Sequence, residues 1–264
     1  MHRISTSKNS IGIVLCHGIT YSSIPDFFTL IEETPFAGYL YESGYNVYAC
    51  DYLGYGKSTK VRNDVNLMSA VKTVKGVVDY ILEIEGLEGI AVMGWSWGAH
   101  VAGHFCSLFY DTRIISLILY GYCWRYPILR INSDLTKRRR KNSIGHAMSD
   151  FYCIDQNISD VIERYVRKAL EVDPTSPVGP RREIVDQTIP IVSPESIKCP
   201  TLVVHGIRDK NVDNSIIGEF YDRLKVRKEY HRIVGGHAVH LERGYKDLIG
   251  IISRFIYKQQ MSDQ

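Results

Sequence analysis

Residues 90–100 constrain the fold of this chain more than any other segment, because they predict a strand and a helix joined by a very short turn. The apolar run 90–93 predicts a buried strand, and residues 101–110 predict a helix. Between them stands Gly94-x-Ser96-x-Gly98, whose small residues allow the strand and the helix to approach closely. The pattern predicts a serine hydroxyl beyond the sheet edge, beside the first N–H groups of the helix.

Further apolar runs along the chain also predict strands that alternate with helices. Residues 11–16, 45–50, 114–120, 201–206 and 230–234 predict strands, and the segments 27–43, 64–85, 216–224 and 245–257 predict helices. Strands and helices that alternate in this way are typical of an α/β fold, with a mostly parallel sheet and helices on both faces. Ligands bind beyond the carboxyl ends of such strands. His17, Asp51 and Ser96 all follow a predicted strand directly.

The regular alternation stops after Gly121. Residues 122–190 contain no strand-like apolar run and five prolines, so we predict a core domain of residues 1–121 and 191–264 and a helical cap of residues 122–190. The basic run 137–141 is most simply a solvated helix face, and the alternative is a docking patch for an acidic partner or a phosphate-bearing substrate tail. The aromatic side chains of Tyr122 and Trp124 belong either to the substrate pocket or to a small core of the cap.

Composition limits the classes of partner and compartment. The formal net charge of +3 over 264 residues gives no argument for nucleic acid, and no apolar run is long enough to span a membrane. The six cysteines form no C-x-x-C pair. We therefore expect reduced thiols, a cytoplasmic location, no metal site and no cofactor.

Two later residues supply the partners that a nucleophilic serine needs. Asp209 lies just past the strand 201–206, and His237 follows the last strand, so the chain order is nucleophile, acid, base. Asp213 is the alternative acid and His240 the alternative base. A pair of backbone N–H groups is expected to bind an anionic oxygen beside Ser96, one from Trp97 and one from Ile19, which follows the pair His17-Gly18.

Five motifs together carry a resemblance to a known family. They are His17-Gly18, Asp51-x-x-Gly54-x-Gly56-x-Ser58, Gly94-Trp95-Ser96-Trp97-Gly98, His205-Gly206-x-x-Asp209 and Gly236-His237-x-x-His240-Leu241-Glu242. With these motifs the sequence resembles the α/β-hydrolase superfamily over the whole chain except the cap. It looks most like the esterase, lipase and thioesterase branches that carry a helical cap. Epoxide and haloalkane hydrolases of the superfamily have Asp at the turn, and Ser96 argues against both.

The resemblance implies a serine hydrolase that cleaves a carboxylic ester or thioester through Ser96, His237 and Asp209 and an acyl-enzyme. Its partner would be a small-molecule acyl substrate, with pocket walls from His17, Trp95, Tyr122 and Trp124, and bulky Trp95 and Trp97 narrowing the acyl side. Three alternatives remain open at this point. They are release or cyclisation of an acyl chain from an acidic acyl carrier protein, a ligand receptor that kept the fold, and a non-hydrolytic lyase or oxygenase.

Overall fold

A seven-stranded sheet forms the centre of the molecule. The computed structural model describes residues 1–6, 10–61, 65–126, 135–152 and 156–261, the side chains of residues 156–158 excepted. The strands of this part of the chain are β1 (His2–Ile4), β2 (Ile11–Cys16), β3 (Asn46–Cys50), β4 (Gly89–Trp95), β5 (Ile114–Tyr120), β6 (Arg139–Lys141), β7 (Thr175–Pro177), β8 (Thr201–Gly206) and β9 (Lys228–Ile233). The central sheet has the order β1-β3-β2-β4-β5-β8-β9, in which β1 is antiparallel to β3 and the other neighbours are parallel.

Helices cover both faces of this sheet. Within the described residues they are α1 (Ser23–Phe28), α2 (Phe36–Glu42), α3 (Leu67–Glu83), α4 (Trp97–Leu108), α5 (Ile144–Met148), α6 (Gln156–Val172), α7 (Gly179–Val185), α8 (Asn214–Arg223) and α9 (Tyr245–Gln260). None of them is both long and apolar enough to cross a membrane. Outside residues 122–190, the predicted strands and helices agree in type with the observed ones, and Pro35 separates α1 from α2 as its ring requires.

Alternate residues of each central strand pack into different halves of the core. Val14 of β2 belongs to the cluster that α3, α4 and α8 complete, whereas Ile13 and Leu15 belong to the cluster that α1, α2 and α9 complete. Side chains of a strand point to opposite faces in turn, so a strand covered on both sides must be apolar throughout. This burial explains the continuous apolar runs of the sequence. The mostly parallel sheet with helices on both faces confirms the predicted α/β fold.

The segment 122–190 differs in one respect from the prediction. It contains α5, α6 and α7, but β6 and β7 also pair as a small antiparallel ribbon. The basic run 137–141 therefore lies partly on a strand and not on a helix face. Arg139 explains why, because its guanidinium donates hydrogen bonds to the carbonyl oxygens of Gly54 and Thr175 and holds the ribbon against the loop after β3. The division into core and cap remains a prediction, and residues 127–134 and 153–155 of the cap lie outside the described residues.

Candidate active site

Ser96 occupies the turn between β4 and α4 in a strained backbone conformation. Its φ of 58° and ψ of −122° lie in a region of backbone conformation that residues other than glycine rarely adopt. A Cβ atom on Gly94 would collide with the carbonyl group of Gly98, and one on Gly98 would collide with the carbonyl group of Cys16. The two glycines therefore allow α4 to start directly against β2 and β4, which leaves Ser96 half-buried at the strand ends.

Asp209 and His237 meet beside this turn. Asp209 follows β8 and His237 follows β9, and the carboxylate oxygen Oδ2 lies 2.7 Å from Nδ1 of the imidazole. Burial alone would lower the pKa of His237, but the charge and hydrogen bond of Asp209, aided by Asp150, raise the pKa above its ordinary value. Burial would raise the pKa of Asp209, and the histidine lowers it instead. The pair thus holds a histidine that readily accepts a proton at Nε2.

The backbone of His237 is held from three sides. Its carbonyl oxygen accepts a hydrogen bond of 2.9 Å from the indole Nε1–H of Trp95 and lies 3.0 Å from the hydroxyl of Tyr120. Its N–H donates to the carbonyl oxygen of Asp150 at 3.1 Å. These contacts orient the imidazole from β4, β5 and the inserted segment together.

Gly121 is a site residue that sequence reasoning missed. It follows β5 with a φ of +58°, and a Cβ atom there would lie 3.2 Å from Nδ1 of His237 and 3.5 Å from Oδ2 of Asp209. Any larger residue would press on the hydrogen bond between the two side chains. The signal in the sequence was a glycine directly after an apolar strand, at the edge where the other site residues lie.

The peptide between Gly18 and Ile19 is fixed in a way that presents the N–H of Ile19. His17 Nδ1–H donates to the carbonyl oxygen of Gly18 at 2.9 Å, while its Nε2 accepts from the N–H of Tyr52. The C=O and N–H of a trans peptide point in opposite directions. Holding the Gly18 oxygen on the side of His17 therefore turns the Ile19 N–H away from His17, and Ile19 is one of the residues that line the cavity. Burial lowers the pKa of His17, which keeps it in the neutral form that this bonding requires.

The backbone of Trp97 lies at the start of α4, whereas its side chain is buried in the core. It is the first residue of α4, and N–H groups in the first turn of a helix have no acceptor within the helix. Its indole is fully buried and packs at 81° against the ring of Tyr52. The side chain of Trp97 therefore belongs to the core, whereas Trp95 lines the cavity. Narrowing of the acyl side by Trp95 stays a prediction.

A cavity of about 280 Å³ brings these groups together. Ser96, His237 and Ile19 line it, and Lys210 and Asn211 lie at its exposed side. Its walls are largely aromatic or aliphatic, from Tyr21, Trp95, Tyr126, Tyr165 and Ile184. Besides Lys210, three charged or acidic side chains that the sequence analysis did not single out line it, namely Asp26, Asp150 and Arg181. They come from α1 and the inserted segment, whose sequence carries no motif that would mark them.

Three of the four side chains predicted for the pocket lie elsewhere. His17 is fully buried behind the Ile19 peptide, between the rings of Tyr52 and Tyr55. Tyr122 and Trp124 pack edge-on against Phe220 of α8. Both aromatic residues follow β5 and turn into the α8 side of the core, because that face offers them a large apolar surface.

The other titratable residues near the strand ends have structural contacts. Asp51 braces its loop, accepting hydrogen bonds from the N–H groups of Ser23 and Lys57. Asp213, the alternative acid, caps the N-terminus of α8. The alternative base, His240, donates from Nε2 to the carbonyl oxygen of Asp26, and burial lowers its pKa to about 3. These contacts leave His237 as the histidine that faces the cavity.

Both histidines of α4 contact backbone oxygens. Nε2 of His100 lies 2.6 Å from the carbonyl oxygen of Cys123, and His104 Nδ1 lies 2.9 Å from the carbonyl oxygen of His100. Among the residues that the structure describes, no group of three metal-binding side chains comes together. Five cysteines are free thiols, and Cys153 lies outside the described residues.

Comparison with known proteins identifies the family. The sequence matches the hydrolase family described as serine aminopeptidase, S33, over residues 10–244. This match spans most of the chain, so the chain belongs to that family and is an α/β-hydrolase enzyme. A search of curated proteins finds no significant match.

Solved structures agree on the fold. A monoacylglycerol lipase of Paleococcus ferrophilus superposes with a TM-score of 0.72 at 18% identity, covering 98% of this chain and 98% of that chain. A thermophilic esterase of Thermogutta terrifontis gives a TM-score of 0.72 at 18% identity, covering 95% and 91%. An enol-lactonase of Burkholderia xenovorans LB400 gives 0.72 at 16% identity, covering 97% and 96%. At these identities the likeness extends to the fold alone.

Proposed function

We propose that this enzyme is a serine hydrolase that cleaves a small carboxylic ester or thioester through Ser96, His237 and Asp209. The observation that carries the proposal is the 2.7 Å contact between Asp209 and His237, in a cavity that His237 shares with Ser96. A serine hydroxyl is a weak nucleophile unless a base takes its proton. His237 can provide that base from the cavity that it shares with Ser96, and Asp209 orients the imidazole through its contact with Nδ1.

The first half of the reaction forms an acyl-enzyme. His237 takes the proton of Ser96 as Oγ attacks the substrate carbonyl, and Asp209 stabilises the imidazolium that results. The N–H groups of Trp97 and Ile19 donate to the anionic oxygen of the tetrahedral intermediate. The imidazolium then protonates the leaving alcohol or thiol, and the acyl group stays on Ser96.

Water completes the cycle in the second half. His237 takes a proton from a water molecule that attacks the acyl-enzyme, and the same two N–H groups stabilise the second intermediate. Collapse of this intermediate returns the proton to Ser96 and releases the carboxylic acid. No step uses a metal or an organic cofactor.

The direct test is hydrolysis of p-nitrophenyl esters from acetyl to decanoyl by the wild type and Ser96→Ala. We expect turnover in the wild type and a loss of about 10³-fold or more in Ser96→Ala, since the remaining donors alone catalyse weakly. The chain-length optimum measures the acyl pocket. Equal rates for both proteins would overturn the proposal. An aminoacyl p-nitroanilide, included in the same series, tests the amide substrates that the family description suggests.

An acidic acyl carrier protein is the partner that a thioesterase version of this proposal requires. Lys137, Arg138 and Lys141 are exposed and support such docking, whereas Arg139 is engaged by Gly54 and Thr175. Unchanged kcat/KM for a carrier-bound acyl chain after Lys137→Glu and Lys141→Glu would exclude this partner. The free thiols support a reducing compartment such as the cytoplasm, which fractionation of cells expressing the protein would test.

A further inference from the structure

Arg181 is the buried charge that the proposed reaction leaves unexplained. It lies on α7, is 6% exposed, and lines the same cavity as Ser96. A buried guanidinium usually pairs with a carboxylate, because removing an unpaired charge from water is costly. Among the described residues no carboxylate lies within ion-pair distance of Arg181. Its hydrogen bonds go to two neutral oxygens, the hydroxyl of Thr20 at 2.5 Å and the carbonyl of Ile19 at 3.3 Å.

The guanidinium is equipped to bind one more group. It carries five N–H donors in a planar fork, of which these two bonds use two. Burial lowers the pKa of Arg181 to about 10, so the side chain still carries its full charge at neutral pH. A cation with spare donors that faces a catalytic cavity is a natural binding point for an anion.

Two acidic side chains line the cavity, but neither lies within ion-pair distance of Arg181. The carboxyl of Asp26 is bound by the N–H of Gly18 and the hydroxyl of Tyr165, and burial raises its pKa well above the ordinary value. Burial also raises the pKa of Asp150, whose backbone oxygen is bound to the loop of His237. A carboxylate in direct contact with Arg181 would therefore have to come from the bound molecule.

We propose that Arg181 binds a carboxylate of the substrate, so that the ester or thioester cleaved at Ser96 carries a second, free carboxylate on its acyl or its alcohol part. This inference rests on the proposed function and names its substrate class. Arg181 contacts the carbonyl of Ile19, whose N–H is the proposed donor to the reacting oxygen, so a carboxylate at Arg181 lies in the same cavity as the scissile bond. The small cavity and its two acidic residues favour a planar monoanion over a phosphate dianion.

Matched ester pairs test the specificity. Mono-p-nitrophenyl glutarate is compared with p-nitrophenyl pentanoate for the acyl side, and 3-carboxyphenyl butyrate with phenyl butyrate for the alcohol side. We expect the wild type to prefer the charged member of at least one pair, and the ratio of kcat/KM to fall by about 10- to 100-fold in Arg181→Gln, as for loss of a charge-assisted hydrogen bond. Arg181→Lys should keep part of the preference.

The ratio separates recognition from general damage, since a disturbed active site would slow both members of a pair. Arg182→Gln is the matched control on the same helix, because the Arg182 guanidinium contacts the carbonyl of Leu135 and not the cavity. We expect it to keep the wild-type ratio. No preference for either charged ester in the wild type, or a preference that survives Arg181→Gln, would overturn the inference.

Ligand binding without turnover keeps the two proposals apart. Glutarate should raise the Tm of the wild type and of Ser96→Ala, but not that of Arg181→Gln, and pentanamide should raise none of them. Stabilisation by glutarate in a protein that hydrolyses no ester would overturn the proposed function and support the carboxylate site. Stabilisation by inorganic phosphate that exceeds that by glutarate would overturn the assignment of a carboxylate.

Discussion

Ser96 has a strained backbone conformation, and no hydrogen bond of its side chain to α4 accounts for it. Its left-handed φ of 58° is strained for a residue with a Cβ atom, and its hydroxyl makes no capping hydrogen bond to α4. Strain of this kind persists where the surrounding structure holds it, here the close approach of α4 to β2 and β4. This conformation places Ser96 at the strand ends, where the proposed reaction uses its hydroxyl.

Replacing Ser96 by glycine should therefore stabilise the fold while it removes the proposed nucleophile. Glycine adopts this conformation freely, and relief of about 1–3 kcal/mol of strain exceeds the entropy cost of a more flexible unfolded chain. We expect Ser96→Gly to raise Tm by about 2–4 °C over Ser96→Ala, which keeps the Cβ atom and the strain. Calorimetry of both variants measures the difference. A Tm for Ser96→Gly equal to or below that of Ser96→Ala would contradict the account of strain.

At the scale of elements, the loop between β2 and α1 depends on contacts behind the cavity. His17 holds the Gly18 carbonyl, Asp26 holds the Gly18 N–H, and the Tyr55 hydroxyl donates to the Ile19 carbonyl at 2.8 Å. Each contact fixes one part of the backbone around the Ile19 N–H. The loop is thus oriented by residues that do not touch the substrate.

Loss of the His17 contact should slow catalysis without removing the aromatic packing. Phenylalanine can retain the stacking on Tyr52 and Tyr55 but cannot donate to Gly18. We expect His17→Phe to lower kcat by about 10²-fold, as for weakening one donor to the reacting oxygen, with a smaller change in KM. Steady-state kinetics on the best p-nitrophenyl ester measures this. A kcat like that of the wild type, in a folded variant, would show that the His17 contact does not orient the loop for catalysis.

Sequence patterns predicted most elements, but not all. The runs that became β2, β4, β5 and β8 are apolar because both of their faces are buried, and this burial is visible in the residues themselves. Strands β6 and β7 have three residues each and include Arg139 and Pro177, so no local pattern marks them. They form because Arg139 reaches Gly54, a contact between distant parts of the chain.

In the candidate site, too, local sequence patterns predict the residues that follow strands but not those that depend on contacts between distant parts of the chain. Ser96, Asp209 and His237 each follow a predicted strand, and the carboxyl ends of parallel strands lie at one edge, so local patterns could predict their meeting. Arg181 and Asp150 reach the cavity through the folding of the inserted segment. Their approach depends on long-range packing, which neither periodicity nor spacing encodes.

For the whole molecule, the important property is that three distant segments set the protonation of His237. Asp209 follows β8, Asp150 belongs to the inserted segment, and Glu242 precedes α9, and all three raise the pKa of His237 against the effect of burial. In the proposed reaction His237 is the general base, which must be neutral to act, so the form protonated below this pKa would be inactive.

The pH profile of kcat/KM should report this arrangement. We expect activity to rise with pH through a midpoint above 6.5, the ordinary histidine value, because the folded protein holds the proton of His237 more tightly. Asp209→Asn removes the strongest of the raising influences, so its midpoint should move to lower pH while kcat falls by about 10⁴-fold. An unchanged midpoint in Asp209→Asn would show that Asp209 does not raise the pKa of the group that controls activity.

Covalent labelling tests the central claim most directly, because it asks which atom attacks. The wild type, Ser96→Ala and His237→Asn are treated with an alkyl fluorophosphonate at neutral pH, and intact mass and peptide mapping locate any adduct. We predict one adduct in the wild type, on Ser96, none in Ser96→Ala, and labelling slowed by at least about 10²-fold in His237→Asn. An adduct on another residue, or undiminished labelling without His237, would contradict a serine nucleophile activated by His237.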